Sequence, residues 1–237
     1  MKIAVIGLGF VGLSLASVLA TKSYTVIGID KDERKCNEIR KGRVPIYEPD
    51  LEKTLKIGLR KSLKISDNFS LITNCDMIFV TVGTPQKANG EIDLLMVKNA
   101  VRSIGKIIRK TKKNPIIFIK STVIPGTTEK VVVPILERES SKKLNKDFGV
   151  ISNPEFLQES NAIRDTKNPH AIILGGENTI YMKKARQFFS KMHSGVPIIV
   201  TRYQTAEMIK YANNSFLATK ISFINQLSNI CQKIPDA

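Results

Sequence analysis

The stretch from Ile3 to Asp30 constrains the fold more than any other part of the chain. Ile3-Ala4-Val5-Ile6 is a short apolar run, the pattern of a parallel strand buried on both faces. Gly7-Leu8-Gly9-Phe10-Val11-Gly12 follows, then a helical pattern through Leu15, Val18 and Leu19, and then a second strand, Thr25 to Ile29, ending at Asp30. A lone GxGxxG means little. Between two strands, opening a helix and followed eighteen positions later by an acid, it is a dinucleotide fingerprint. Gly7 permits the tight turn, Gly9 lets the backbone approach a pyrophosphate, and Gly12 lets the helix pack on the strand. Phe10 and Val11 belong to the same loop, whose N–H groups at the helix start face the anion. Asp30 accepts from the ribose hydroxyls and repels a 2′-phosphate, so the cofactor read here is NAD rather than NADP.

Alternation continues downstream. Strands are expected at Met77–Val82, Pro115–Lys120 and Phe148–Ile151, with helices over 33–41, 93–110 and 127–138. Such alternation implies an α/β fold with a parallel, doubly wound sheet. Ligands of such sheets sit beyond the carboxyl ends of the strands, so the polar clusters there converge on one crevice. From Thr205 to Gln232 the pattern is one long helix without Gly or Pro. Residues 1–200 are read as the dinucleotide-binding domain and 201–237 as this helix. Ile209, Phe216, Phe223 and Ile230 recur every seven residues, with Leu217, Ile224 and Cys231 beside them. About 42 Å of helix is too long for one small domain to cover.

Charge and cysteine content narrow the function classes. The chain has 37 basic and 21 acidic side chains, a formal +16, and residues 101–150 hold 12 basic and 4 acidic ones. The densest run, Lys106–Lys113, lacks the interleaved aromatics of a single-strand binding surface and reads as a solvated helix face. Nucleic acid is therefore not expected as a partner. No apolar run approaches the roughly 18 residues of a membrane span, and the first residues do not form a signal peptide. Cys36, Cys75 and Cys231 are scattered and odd in number, which excludes a disulfide framework and a CxxC metal site. A cytoplasmic location is expected, with no metal.

Asn153-Pro154-Glu155-Phe156-Leu157-Gln158-Glu159 reads as a helix start, with Asn153 as N-cap, Pro154 first, and Glu155 and Glu159 on one face. Lys210 and Asn214, also four apart, form a second polar pair on the long helix.

Together these motifs resemble the NAD-dependent UDP-glucose/GDP-mannose (nucleotide-sugar) dehydrogenases. The resemblance covers nearly the whole chain and rests on GLGFVG (7–12), Ile46-Tyr47-Glu48-Pro49, VGTP (82–85), STVIPGT (121–127), NPEFLQES (153–160) and AEMIKYANNSF (206–216). It implies a Rossmann-type domain, a long central helix through which protomers pair, and a second α/β domain that completes the site. In such enzymes a primary alcohol becomes a carboxylate in two hydride transfers. A cysteine thiolate captures the aldehyde and water releases the acid from the thioester. The resemblance implies that Gly7, Gly9, Gly12, Asp30 and Lys35 hold NAD, with Gly83, Thr84 and Thr122 near its far end. By the same resemblance Glu155 helps activate the hydrolytic water, Glu159 lines the site near the nicotinamide, and Lys210 and Asn214 stabilise the developing oxyanion.

The nucleophile of such enzymes lies in a Phe-Gly-Gly-x-Cys segment tens of residues beyond the lysine, and these 237 residues contain none. None of the three cysteines lies in a flexible, electropositive loop that favours a thiolate, so all three are read as structural. The chain is therefore expected to be the N-terminal portion of a longer enzyme. Glu159-Ser160 resembles the GDP-mannose branch, whereas Ala206–Phe223 resembles the UDP-glucose branch; UDP-glucose is the reading taken, with GDP-mannose or a UDP-N-acetylhexosamine as the alternative. Two rivals remain. Another Rossmann dehydrogenase, of hydroxyacid or 6-phosphogluconate type, would share the first thirty residues but not the later motifs. A non-catalytic module binding NAD or nucleic acid would need none of them.

Overall fold

A computed structural model describes residues 1–234. In chain order the elements are β1 (Lys2–Ile6), α1 (Phe10–Thr21), β2 (Thr25–Ile29), α2 (Glu33–Arg40), α3 (Leu51–Lys61), β3 (Leu63–Ser66), β4 (Met77–Val80), α4 (Leu95–Ile108), β5 (Ile116–Ile119), α5 (Val133–Ser140), β6 (Gly149–Ser152), α6 (Ala162–Lys167), β7 (Ile172–Gly175), α7 (Ile180–Met192), β8 (Ile198–Thr201) and α8 (Tyr203–Cys231). The strands form one sheet in the order β3-β2-β1-β4-β5-β6-β7-β8.

Two-residue periodicity splits the core into two layers. Ile3, Val5 and Phe79 point to the layer under α1 and α7, while Ala4, Ile6 and Val80 point to the layer under α4 and α5. In the first layer the Phe79 and Phe118 rings stack at 4.5 Å, and Phe188 and Phe189 of α7 meet Phe79 edge-on or tilted. Strands buried on both faces need the continuous apolar runs seen in β1, β4 and β5.

The sheet is not parallel throughout. β6 and β7 run antiparallel and share a single register pair, Ser152 with Gly175, whereas β7 and β8 are parallel to each other. Between β6 and β7 the chain makes only a loop and the six-residue α6, which packs on α1. No full crossover helix carries it back to the amino end of the sheet, so the chain re-enters in the opposite direction. Because last residue pairs with last residue, β7 slides past the end of β6 and walls the crevice.

Two further expectations need correction. The helix expected over 127–138 opens as a five-residue π-turn, Thr128–Val132, before α5. No helix starts at Asn153: residues 153–158 are irregular and helical geometry resumes only at Ala162. The Asn153 side chain does not cap; its amide donates to the Ile173 carbonyl at 2.9 Å, tying the loop to β7. The long helix does form, over 29 residues. Its first two turns bury Tyr203, Ala206, Glu207 and Lys210, and from Ala212 onward every described residue is exposed.

Candidate functional site

The fingerprint builds one end of the crevice. Gly7 has φ +93°, and a Cβ there would meet Val82 at 2.9 Å; a Cβ on Gly12 would come within 1.8 Å of the Gly7 carbonyl oxygen. Only glycine fits either position. Thr81 locks the turn from below, its hydroxyl donating to the carbonyls of Ile6 and Gly7. Gly9 has nothing within 4 Å of its Cβ position, and α1 starts there without a side-chain cap. Its first N–H groups are thus left to an anion. The cleft in front, about 330 Å³, is lined by Gly7, Gly9, Asp30, Lys35, Gly83 and Asn99 among others.

Asp30 is buried at the end of β2, accepting from Leu8 N at 2.8 Å, Asp32 N at 3.1 Å and Lys35 Nζ at 2.9 Å. Burial alone would raise its carboxyl. The Lys35 ammonium and the two N–H groups outweigh that and hold it below the usual carboxylate range. Asp30 is therefore an anionic acceptor at the ribose position. Lys35 is its partner through the first turn of α2.

At the other end, the carboxyl ends of β5 and β6 and the second turn of α8 bring together Lys120, Asn153, Glu155 and Lys210. Lys210 Nζ lies 2.9 Å from Glu155 Oε1, with side chains only 7 % and 13 % exposed, and 5.4 Å from the centre of the Phe156 ring. Lys120 Nζ donates to the Asn153 carbonyl (3.3 Å) and side-chain oxygen (3.1 Å). Withdrawal from water brings its pKa down to about 8, with Glu155 pulling it up and Lys210 pushing it further down. Two ammonium groups thus flank one carboxylate.

Three residues that sequence reasoning gave no role hold this arrangement. Lys120 was legible only as the last residue of an apolar strand; a lysine closing such a run is the signal available. Glu48, buried between α2 and α3, accepts from Ser160 N (3.0 Å) and Ala162 N (2.7 Å) and pins the far end of the 153–161 loop. Glu207 accepts from Thr128 N at 2.8 Å and from Gly126 N, clamping the STVIPGT segment to α8; burial pushes its carboxyl up despite these bonds. Replacing Glu48 with Ala leaves two N–H groups without their acceptor. It is expected to cost about 2 kcal/mol, measured by chemical denaturation; a loss within ±0.5 kcal/mol would contradict this clamp.

Sequence comparison identifies the arrangement. The sequence model described as the UDP-glucose/GDP-mannose dehydrogenase family, NAD binding domain, matches residues 1–193, and that of the family's central domain matches residues 204–236. The chain belongs to the UDP-glucose/GDP-mannose dehydrogenase family. It is 38 % identical to a GDP-mannose 6-dehydrogenase of Pseudomonas putida over 99 % of this chain and 53 % of the relative. With a UDP-glucose 6-dehydrogenase of Rickettsia conorii the figures are 39 %, 99 % and 52 %. The crystal structure of a GDP-mannose dehydrogenase from Pseudomonas aeruginosa superposes with a TM-score of 0.92 at 37 % identity, over 98 % of this chain and 53 % of that one. The chain therefore spans about half the length of these relatives.

Not every residue named from family resemblance joins the buried cluster. Thr84 and Thr122 meet, the Thr84 hydroxyl donating to the Thr122 carbonyl at 2.8 Å. Glu159 and Asn214 are exposed, and Glu159 is not stacked above Glu155 because no helix carries them. Ser160 beside it has φ +69°, a left-handed conformation. Cys36 and Cys75 are buried, and burial raises both thiols, Cys75 to about 11, so neither is a thiolate. Cys231, expected to be structural, is exposed on α8. Among the described residues no cluster of three metal-ligating side chains occurs, and no helix is long and apolar enough to cross a membrane.

Proposed function

We propose that the chain forms the cofactor half, and one wall of the substrate crevice, of an enzyme that oxidises the primary alcohol of a nucleotide sugar to a carboxylate. The reading rests on the buried Lys210–Glu155 pair, whose Glu155 lines the same pocket as Val11 of the glycine loop. Gly7, Gly9, Phe10, Val11 and Gly12 present uncapped N–H groups to the cofactor pyrophosphate. Asp30, oriented by Lys35, takes the ribose hydroxyls, and Gly83, Thr84 and Thr122 border the nicotinamide end with Glu159 on the rim. Bound NAD supplies the hydride acceptor for both oxidations. Lys210 offers a fixed ammonium to an oxygen as it gains negative charge, preorganised because Glu155 already holds it in place. Asn214, one turn further along α8, adds a donor on the same side. Glu155 is then the carboxylate placed to take a proton from the hydrolytic water.

UDP-glucose is the substrate proposed, on the likeness of Ala206–Phe223 to that branch; GDP-mannose is the alternative, favoured by Glu159-Ser160. We place the boundary between domain and central helix at residue 200, the protein in the cytoplasm, and a second copy against the exposed part of α8. These 237 residues lack the family's cysteine segment and are proposed to bind cofactor without turnover.

Titration of the chain with NAD and NADP by calorimetry tests the reading. NAD is expected to bind at least tenfold tighter, since a 2′-phosphate would face the Asp30 carboxylate. Equal or tighter NADP binding would overturn the assignment of Asp30. Incubation with NAD and UDP-glucose is expected to yield no sustained NADH, and turnover abolished by Cys231→Ser would show that this exposed thiol is the nucleophile. Micromolar duplex binding with a steep salt slope and no NAD binding would favour the basic module instead.

A further inference from the structure

At the end of the sheet opposite the glycine loop lies a half-open cleft of about 700 Å³, bordered by Tyr24, Asp76 and Asn114, which precede β2, β4 and β5. Sites for small ligands occupy roughly 300–1,000 Å³. Met77, Ile116 and Phe188, all buried, close the floor, and the half-buried Tyr24 ring tilts against Phe188 at 5.5 Å. The rim is basic. Lys112 and Lys113 come from the segment leading into β5. Lys184 and Lys191 come from α7, on the face that also carries Gln187 and Phe188. The lysine run 106–113 is therefore not one solvated helix face: α4 ends at Ile108, and the last two lysines of the run line the cleft.

Asp76 is the only carboxylate on the lining, and it is already engaged, accepting from Lys2 N at 2.8 Å and from Lys113 Nζ. Lys112, Lys184 and Lys191 are exposed, and none has a carboxylate partner among the described residues. Like charges gathered over an apolar floor repel one another and focus a positive potential into the recess. A compact multiple anion, able to meet several ammonium groups at once, relieves that repulsion.

We propose that this cleft binds a short phosphate chain, inorganic or carried by a nucleotide, through Lys112, Lys184 and Lys191. It shares no lining residue with the cofactor cleft, and the inference does not rest on the reaction proposed above.

Calorimetric titration of the chain with inorganic tripolyphosphate at physiological salt tests it. Lys184→Glu together with Lys191→Glu is expected to weaken binding about tenfold or more, the worth of one charge-assisted hydrogen bond. Lys53→Glu with Lys106→Glu makes the same change in net charge at exposed positions outside the cleft. This second pair is expected to leave binding within about twofold, because salt screens distant charges. Equal losses from the two pairs would mean that tripolyphosphate answers only to the overall +16, and would overturn the site. Displacement of tripolyphosphate by saturating NAD would place it at the glycine loop and overturn the site too. Should NAD itself not bind, the cofactor assignment falls while the two charge pairs still decide this one. ATP titrated with NAD present separates the sources: tighter binding than tripolyphosphate means that the nucleoside also meets the cleft, and equal binding that the phosphates alone are read. Duplex DNA held more tightly than either, and lost in the Lys184/Lys191 variant, would make this a nucleic-acid surface and overturn the small ligand. Should that variant not fold, backbone NMR of the unaltered chain decides. Tripolyphosphate is expected to shift Lys112–Asn114 and Lys184–Lys191, and shifts confined to Gly7–Gly12 would overturn the proposal.

Discussion

Lys210→Met is expected to lower the unfolding free energy by about 4 kcal/mol, the order found when one member of a buried ion pair is removed. Lys210 and Glu155 meet at 2.9 Å with most of both side chains out of water. Deleting the ammonium leaves a carboxylate that neither water nor another cation fully serves, since Lys120 already gives two of its protons to Asn153. The comparison that isolates the pair is Lys210→Met together with Glu155→Gln. Removing both charges takes away the stranded group, so the double variant should recover most of the loss. Urea denaturation of the four proteins measures the coupling. A single-variant loss under about 1 kcal/mol is what an exposed pair gives, and it would mean that the crevice is wetter than the structure indicates. The effect also bears on chemistry: an ammonium held by a carboxylate needs no reorganisation when an oxygen beside it becomes negative.

What the sequence disclosed and what it hid divide along the range of the interactions. The fingerprint was legible because its signals are local: Gly7, Gly12 and Asp30 act within thirty residues, on turns and helix starts whose sterics are fixed by type. The long helix was legible for the same reason, to within two residues at its start. Asn153-Pro154 carried an equally local helix-start signal, and it misled. The Asn153 side chain goes to Ile173 on β7 and to Lys120 just past β5, and such tertiary bonds are invisible to a capping rule. Glu48 is further beyond reach: its partners lie 112 and 114 positions away. β7 and β8 were not among the strands expected at all, and their reversal goes against the general reading of a parallel sheet, which holds only when each crossover spans the sheet; α6 is too short to do so. Family resemblance named Glu155 and Lys210 separately; that they form one buried pair emerges only from the fold.

The exposed part of α8 is expected to drive self-association, and its effect is the largest of all. Phe216, Phe223 and Ile230 are 70 %, 61 % and 54 % exposed, seven residues apart, with Ile224 and Leu227 between them also exposed. A seven-residue repeat keeps large side chains on one slowly turning stripe of the helix. No part of the described chain folds back on it: past Lys210 the helix has left the sheet. Ile209, the first member of the set, is half-covered by the domain, so the seam begins where the domain ends. Fully burying one such side chain is worth roughly 1.5–3 kcal/mol, and the three exposed members together offer at most about 4.5–9 kcal/mol before ordering costs. A second copy of α8 is the cover that matches the stripe in length and period. Light scattering at micromolar concentration is expected to show a dimer or larger species, and a clean 26.4 kDa monomer would refute the interface. Phe223→Glu places a charge in the middle of that seam and should dissociate it. NAD affinity should remain nearly unchanged, because Phe223 lies more than three turns beyond Lys210, on helix that touches neither Asp30 nor the glycine loop. Loss of NAD binding in parallel with dissociation would instead mean that the arm supports the cofactor cleft, a coupling that no contact among the described residues provides.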